Sequence, residues 1–199
     1  MTSRLIITAD DFGYRASYDA GILEAVLAGA VDAVSVMAKR LPSLPVALTG
    51  SGVALGVHLE EGDPRAQIDR FTGLAGRPPD YIDGHHHCHA TAAVTSNAAA
   101  AGLPVRSIDT AHRRRLREAG VRTPDLLIGR LSEDEPARPA ELDKPLPGWT
   151  EWMVHPGHPA GEGGSGYDAG RGEDLRVLLE LELPEGVSRS DQRSLPPPS

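Results

Sequence analysis

Short apolar, β-branched runs in this chain repeatedly end in a carboxylate or an imidazole, and amphipathic stretches separate them. The run over residues 4–9 leads into Asp10-Asp11, and VALGVHL at 53–59 carries His58. YIDGHHHCH at 81–89 brings Asp83 and four histidines, and TEWMVHPGH at 150–158 carries His155. Between them, SYDAGILEAVLAG at 17–29 sets Ile22, Leu23, Val26 and Leu27 on one helical face. Residues 65–76, 92–101, 111–119 and 170–182 read as further helices, and 31–37, 103–109 and 125–129 as shorter strands. Strand and helix in alternation predict an α/β fold with a largely parallel sheet. In such folds, barrels included, sites are built at the C-terminal ends of the strands, where these acids and histidines fall.

The length of 199 residues favours one domain, taken as 1–185, with 186–199 expected as a disordered, proline-rich tail. No apolar run is long enough for a membrane span, and the N-terminal sequence lacks the pattern of a secretory signal, so a cytoplasmic protein is expected. Cys88 is the single cysteine, which excludes an internal disulfide and a thiolate zinc cage. A formal charge of −8 argues against nucleic acid as the main partner.

Histidine is the one strong local bias: six of the eight lie in two short clusters, which points to metal or acid–base chemistry. Adjacent carboxylates on an extended backbone point to opposite sides, so Asp10 and Asp11 are expected to divide their work, one holding a metal and the other taking a proton. If 83–89 is extended, Asp83, His85, His87 and His89 share one face. His85 and His89 would then stand about 13 Å apart, too far for one ion. One or two of these histidines are therefore ligands, and His87 and His89 are expected outside the ligand set. His155, followed by Pro156-Gly157, is expected at the rim of the strand ends.

Four segments, TADDFGY (8–14), GVHL (56–59), DGHHHCH (83–89) and EWMVHPGH (151–158), resemble the successive motifs of the YdjC-like carbohydrate deacetylases, which include chito-oligosaccharide deacetylases. AGILEAVLAGAVDAVSVM, GRPPDYIDGH, PVRSID and AGVRTPD are similar to the same family, so the likeness runs from about residue 4 to 180. It implies a distorted (β/α) barrel, in a compact version, and removal of acetyl groups from N-acetylated amino sugars or short oligosaccharides through a metal-bound water. By motif position Asp11, His58 and His85 would be metal ligands, Asp10 the base, and His155 the acid or oxyanion partner. Asp83, His87, His89 and Arg106 would support the site or meet substrate. The cofactor would be one divalent cation: magnesium by resemblance, zinc or cobalt by ligand type. The partner would be a small carbohydrate, with no nucleic acid or membrane involved and a homodimer allowed for.

The chain departs from the family where GVHL is followed by EEGDPRAQ, with Glu60 in the place of an asparagine, and where 115–150 is compact. An open, shallow cleft is expected. The alternatives are a metallohydrolase of another amide or ester and a catalytically idle sugar-binding paralogue.

Overall fold

The computed structural model describes residues 3–161 and 163–198. Seven parallel strands form the sheet: β1 (Ser3–Phe12), β2 (Ala33–Val36), β3 (Ala54–Leu59), β4 (Ile82–Gly84), β5 (Leu126–Ile128), β6 (Trp149–Val154) and β7 (Val187–Arg189). Their order is β4-β3-β2-β1-β6-β5, with β7 paired to β1. The helices are α1 (Ala16–Leu27), α2 (Val46–Thr49), α3 (Pro64–Ala75), α4 (Ala92–Ala101), α5 (Thr110–Glu118) and α6 (Asp168–Leu179). Among the described residues no helix is long and apolar enough to cross a membrane.

The central strand explains the two faces of the sheet. Along β1, Leu5, Ile7 and Ala9 join the main apolar core with Ile22 and Val26 of α1, Phe71 of α3 and Leu175 of α6. The alternate residues Thr8 and Asp10 face inward and bond to Glu151 and Arg106. The sheet is thus half a barrel, apolar where helices cover it and polar on its concave side. Gly56 is required there, because a Cβ would lie 2.3 Å from the Tyr81 ring that fills the concave face beside Ala33 and Ala54.

The starts of α3, α4 and α5 follow their sequence signals. Asp63 caps α3 by accepting from Arg65 N, Pro64 occupies the first turn, and Gly76 closes the helix in the left-handed conformation. Thr91 and Asp109 cap α4 and α5 in the same way.

Three expectations are corrected. Residues 103–109 do not form a strand: Val105 makes one bridge to Ile82, because Pro104 has no N–H to offer. The wall continues instead through single bonds, Ile82 N to Pro104 O, Arg106 N to Ile82 O and Val105 N to Arg122 O. The extended run expected to 89 ends at Gly84, and His85–His87 form a 3-10 turn. Gly84 permits this, since a Cβ there would meet Cys88 Sγ and His89 at 3.1 Å as the chain folds back over it. The tail expected from 186 is ordered over its described residues, because β1 has a free edge at its start. Val187, Ser188 and Arg189 pair with Ser3, Arg4 and Leu5, and Arg189 Nε donates to Asp32. Gln192 is buried and donates to Thr8 inside the half-barrel.

Truncation after residue 186 is therefore expected to destabilise the chain by about 2 kcal/mol, lowering the melting temperature by about 4–8 °C. A thermal melt unchanged by the truncation would show that the segment carries no stability.

Candidate active site

The site starts at a flaw in β1. Its register against β2 shifts between Ala9 and Phe12, and Asp11 adopts φ 73, the left-handed region that a non-glycine residue enters at a cost of about 1 kcal/mol or more. The consequence is that Asp10 and Asp11 both line one cleft. The expectation that neighbouring acids point to opposite sides fails here because it assumes an unbroken extended strand.

Partners on three sides hold Asp11 in this conformation. His58 Nε2 lies 3.3 Å and His85 Nδ1 2.9 Å from Oδ1, and Arg171 Nη2 donates to Oδ2 at 2.6 Å. His58 stands near the end of β3, and its Nδ1 donates to Asp83 Oδ1 at 2.8 Å, which aims Nε2 at Asp11. Asp83 in turn accepts from Ser35 Oγ at 2.5 Å and pairs with Arg106 at 2.8 Å. His85 comes from the turn after β4, with its ring 5.7 Å from that of Tyr14.

Burial opposes charge on these groups, and their neighbours decide the outcome. For Asp11, the hydrogen bonds to His58 and His85 outweigh burial and hold the carboxyl well below its ordinary range. For Asp83, burial is overcome by Arg106 and His58, again lowering it. For His58, burial is overcome by Asp83 and Asp10, which raise the imidazole well above its usual value. An acidic surrounding of this kind draws in positive charge.

The donor set fits a divalent cation. One oxygen of Asp11 and one nitrogen each of His58 and His85 lie within 4.8 Å of one another. The 2.9 and 3.3 Å separations match the roughly 3.0–3.4 Å between neighbouring ligands when each bond is about 2.1 Å. A second grouping, Asp10, His58 and Asp83, has similar spacing. Its acids are already taken by Arg106, and His58 Nδ1 by Asp83, so it offers no free ligand set.

Asp10 is held differently from Asp11. Arg106 Nη1 and Nη2 donate to its two oxygens at 2.6 and 2.8 Å, fixing the carboxylate plane at the cleft wall. Arg106 also donates from Nε to Glu151, which takes a hydrogen bond from Thr8. Burial pushes the Glu151 carboxyl up, with Arg106 opposing it.

His155, just beyond β6, reaches the cleft at the rim. Its backbone N donates to Asp174 Oδ2 at 2.8 Å, its ring is 5.1 Å from Tyr167, and Nδ1 is buried without a partner among the described residues. Burial outweighs Asp11 and Asp10 and holds the imidazole below its ordinary value, in the neutral form. Pro156-Gly157 has a packing role beyond ending the strand. A Cβ on Gly21 would come within 2.5 Å of Gly157, and one on Gly157 would press on Tyr18 and Arg171, so α1 and α6 converge there only because both positions are glycine.

The cleft encloses about 730 Å³, with Tyr14, Met153, Tyr167 and Leu131 supplying apolar faces beside the acids and imidazoles. Of the expected supporting residues, Asp83 and Arg106 lie directly behind the site and His87 lines the cleft. His89 does not reach it: the chain turns it inward, where Nε2 meets Arg106 O at 3.0 Å and burial pushes it down to about 3. Glu60 is engaged by Arg40 and Gln67 and is not part of the cleft wall. Arg171 and Glu151 were not legible as site residues. Arg171 depends on how α6 docks, and Glu151 looks like any polar residue alternating in a strand.

The family model described as YdjC-like protein matches residues 4–60 and 61–189. A carbohydrate deacetylase of Geobacillus stearothermophilus is 30% identical over an alignment covering 89% of this chain and 90% of that one. A carbohydrate deacetylase of Mus musculus is 32% identical over 43% of each chain, so the match spans less than half of the mouse protein. The crystal structure of an Enterococcus faecalis protein, assigned provisionally to cellobiose-phosphate cleavage, superposes with a TM-score of 0.78 at 22% identity, covering 98% of this chain and 99% of that one. With nearly the whole sequence matched and its motifs gathered at one cleft, the chain belongs to the YdjC-like protein family.

Proposed function

We propose that the chain is a metal-dependent hydrolase that removes acetyl groups from N-acetylated amino sugars or short oligosaccharides. One observation carries the proposal: a donor atom from each of Asp11, His58 and His85 lies within 4.8 Å of the other two, and a second carboxylate, Asp10, lines the same cleft. The carbohydrate deacetylase names of the Geobacillus and mouse relatives support removal of acetyl groups from a carbohydrate as the reaction.

Asp11, His58 and His85 would hold a divalent cation, which would supply Lewis acidity to the acyl carbonyl and lower the pKa of the attacking water. Asp10 takes the proton of the attacking water, with its carboxylate kept in plane by Arg106. The same proton passes from Asp10 to the amine nitrogen as the C–N bond breaks, releasing the free amine and acetic acid, which ionises to acetate. His155, neutral through burial, donates an N–H to the acyl oxygen as negative charge develops. Asp83 keeps the His58 ring turned toward Asp11. Tyr14, Tyr167 and Leu131 offer flat or apolar surfaces of the kind a sugar ring covers. One oxygen and two nitrogen donors support zinc or cobalt over magnesium, which prefers oxygen.

Acetate release from N-acetylglucosamine oligomers, measured after metal addition to the chelated protein, tests the activity. Asp10→Asn is expected to keep the cation and lose about 10²–10⁴-fold in turnover. Asp11→Asn, His58→Ala and His85→Ala are expected to lose bound metal, and Asp83→Asn to weaken it by about 10–100-fold. Loss of metal from Asp10→Asn with retention in Asp11→Asn would reverse the two roles. A metal-loaded protein that releases no acetate from any oligomer would overturn the deacetylase assignment.

His155 gives a separate check. His155→Ala is expected to lower kcat by about 10²–10³-fold without changing metal content, while His155→Gln, which keeps an N–H donor, retains more activity. Equal loss in both variants would remove the oxyanion role.

A further inference from the structure

The two oxygens of Asp11 are treated unequally. Oδ1 stands between the imidazoles of His58 and His85, whereas Oδ2 takes an N–H from Arg171 at 2.6 Å. Arg171 is buried, and its guanidinium carbon lies 3.9 Å from the centre of the Tyr18 ring. Tyr18 is itself fixed: its hydroxyl donates to Asp168 at 2.6 Å and accepts from Ser165 N at 2.9 Å. The backbone of Arg171 is tied at the glycine joint, where Gly157 N donates to its carbonyl. These contacts hold the guanidinium against Asp11.

Apart from the faces of the Tyr18 and Tyr14 rings, no other group among the described residues engages its charge directly. Nε and Nη1 are buried without hydrogen-bond partners, and Asp11 is the one acid with which Arg171 forms an ion pair. A buried guanidinium that gives up most of its donors needs a compensating role.

Resting on the assignment of Asp11, His58 and His85 as cation ligands, we infer that Arg171 sets the metal preference of the site. It reserves Oδ2 and offsets part of the carboxylate charge, which leaves one oxygen and two nitrogens of low net charge. Such a set holds nitrogen-accepting transition cations well. It holds magnesium poorly, because magnesium depends on oxygen ligands and negative charge to offset its dehydration. A neutral side chain in place of Arg171 frees Oδ2 and restores the full charge of Asp11, so magnesium should gain most.

Calorimetric titration of the chelated full chain with magnesium and, separately, cobalt reads this directly. Wild type is expected to bind cobalt at least about 100-fold more tightly than magnesium. Arg171→Met and Arg171→Gln are expected to tighten magnesium by about tenfold or more, narrowing that ratio, while Arg171→Lys keeps the wild-type ratio. Magnesium affinity unchanged or weakened in both neutral variants overturns the inference, since weakening is the sign expected if Arg171 only props Asp11 in place. Thermal melts accompany each titration, and if one neutral variant fails to fold, the other carries the measurement. Should both fail while Arg171→Lys folds, Arg171 belongs to the fold and the inference is overturned. Wild type that binds neither cation, or binding that survives His58→Ala, removes the metal centre itself, an outcome distinct from a failure confined to Arg171.

Discussion

Arg106 is the interaction on which the interior of this half-barrel depends. It is fully buried and meets three carboxylates, Asp10, Asp83 and Glu151. Without it those acids could not share the concave face, because isolated buried charges cost several kcal/mol each. Counting Asp11 and Arg171, four buried carboxylates face two guanidiniums, a formal excess of two negative charges. This imbalance accounts for His58, which Asp83 and Asp10 drive toward its charged form against its own burial. A divalent cation carries the charge that would restore the balance.

The packing that surrounds this cluster is built to place it. Small residues at Ala33, Ala54 and Gly56 admit the Tyr81 ring, whose hydroxyl meets Ser35 Oγ at 2.8 Å, and Ser35 donates on to Asp83. At the opposite wall, the Gly21–Gly157 contact brings α6 close enough for Arg171 to reach Asp11. Both arrangements tie Asp11 or the support of His58 to the fit of the backbone, so modest repacking at either wall would be felt at these side chains.

The sequence was informative where function is local to a strand end. Asp11, His58 and His85 could be singled out because each follows an apolar run and sits in a motif with a family likeness, and the structure brings the three together. It was uninformative where long-range contact decides. The turn at His85–His87 exists because His89 folds back onto Gly84, and nothing in HHHCH itself signals that bend. The left-handed Asp11 breaks the alternation that strand periodicity assumes. Gln192 lies in a stretch whose prolines look like a tail, yet a buried hydroxyl 184 residues earlier gives it a partner. Arg171 sits on a helix with no marked apolar stripe, so its burial follows from docking alone.

The pairing of β1 has a consequence for how the chain folds. Its inner edge on β2 forms between near neighbours in sequence, but its other partners, β6 and β7, lie more than 140 residues further along. Closing loops of that size is slow, and long-range parallel pairing raises the contact order. During synthesis the strand that carries Asp10 and Asp11 emerges long before the strands that pair with its other edge. Until they arrive, β1 presents an unpaired apolar edge of the kind that invites association with other chains. The topology thus leaves the strand that lines the cleft as the one whose pairing is completed last.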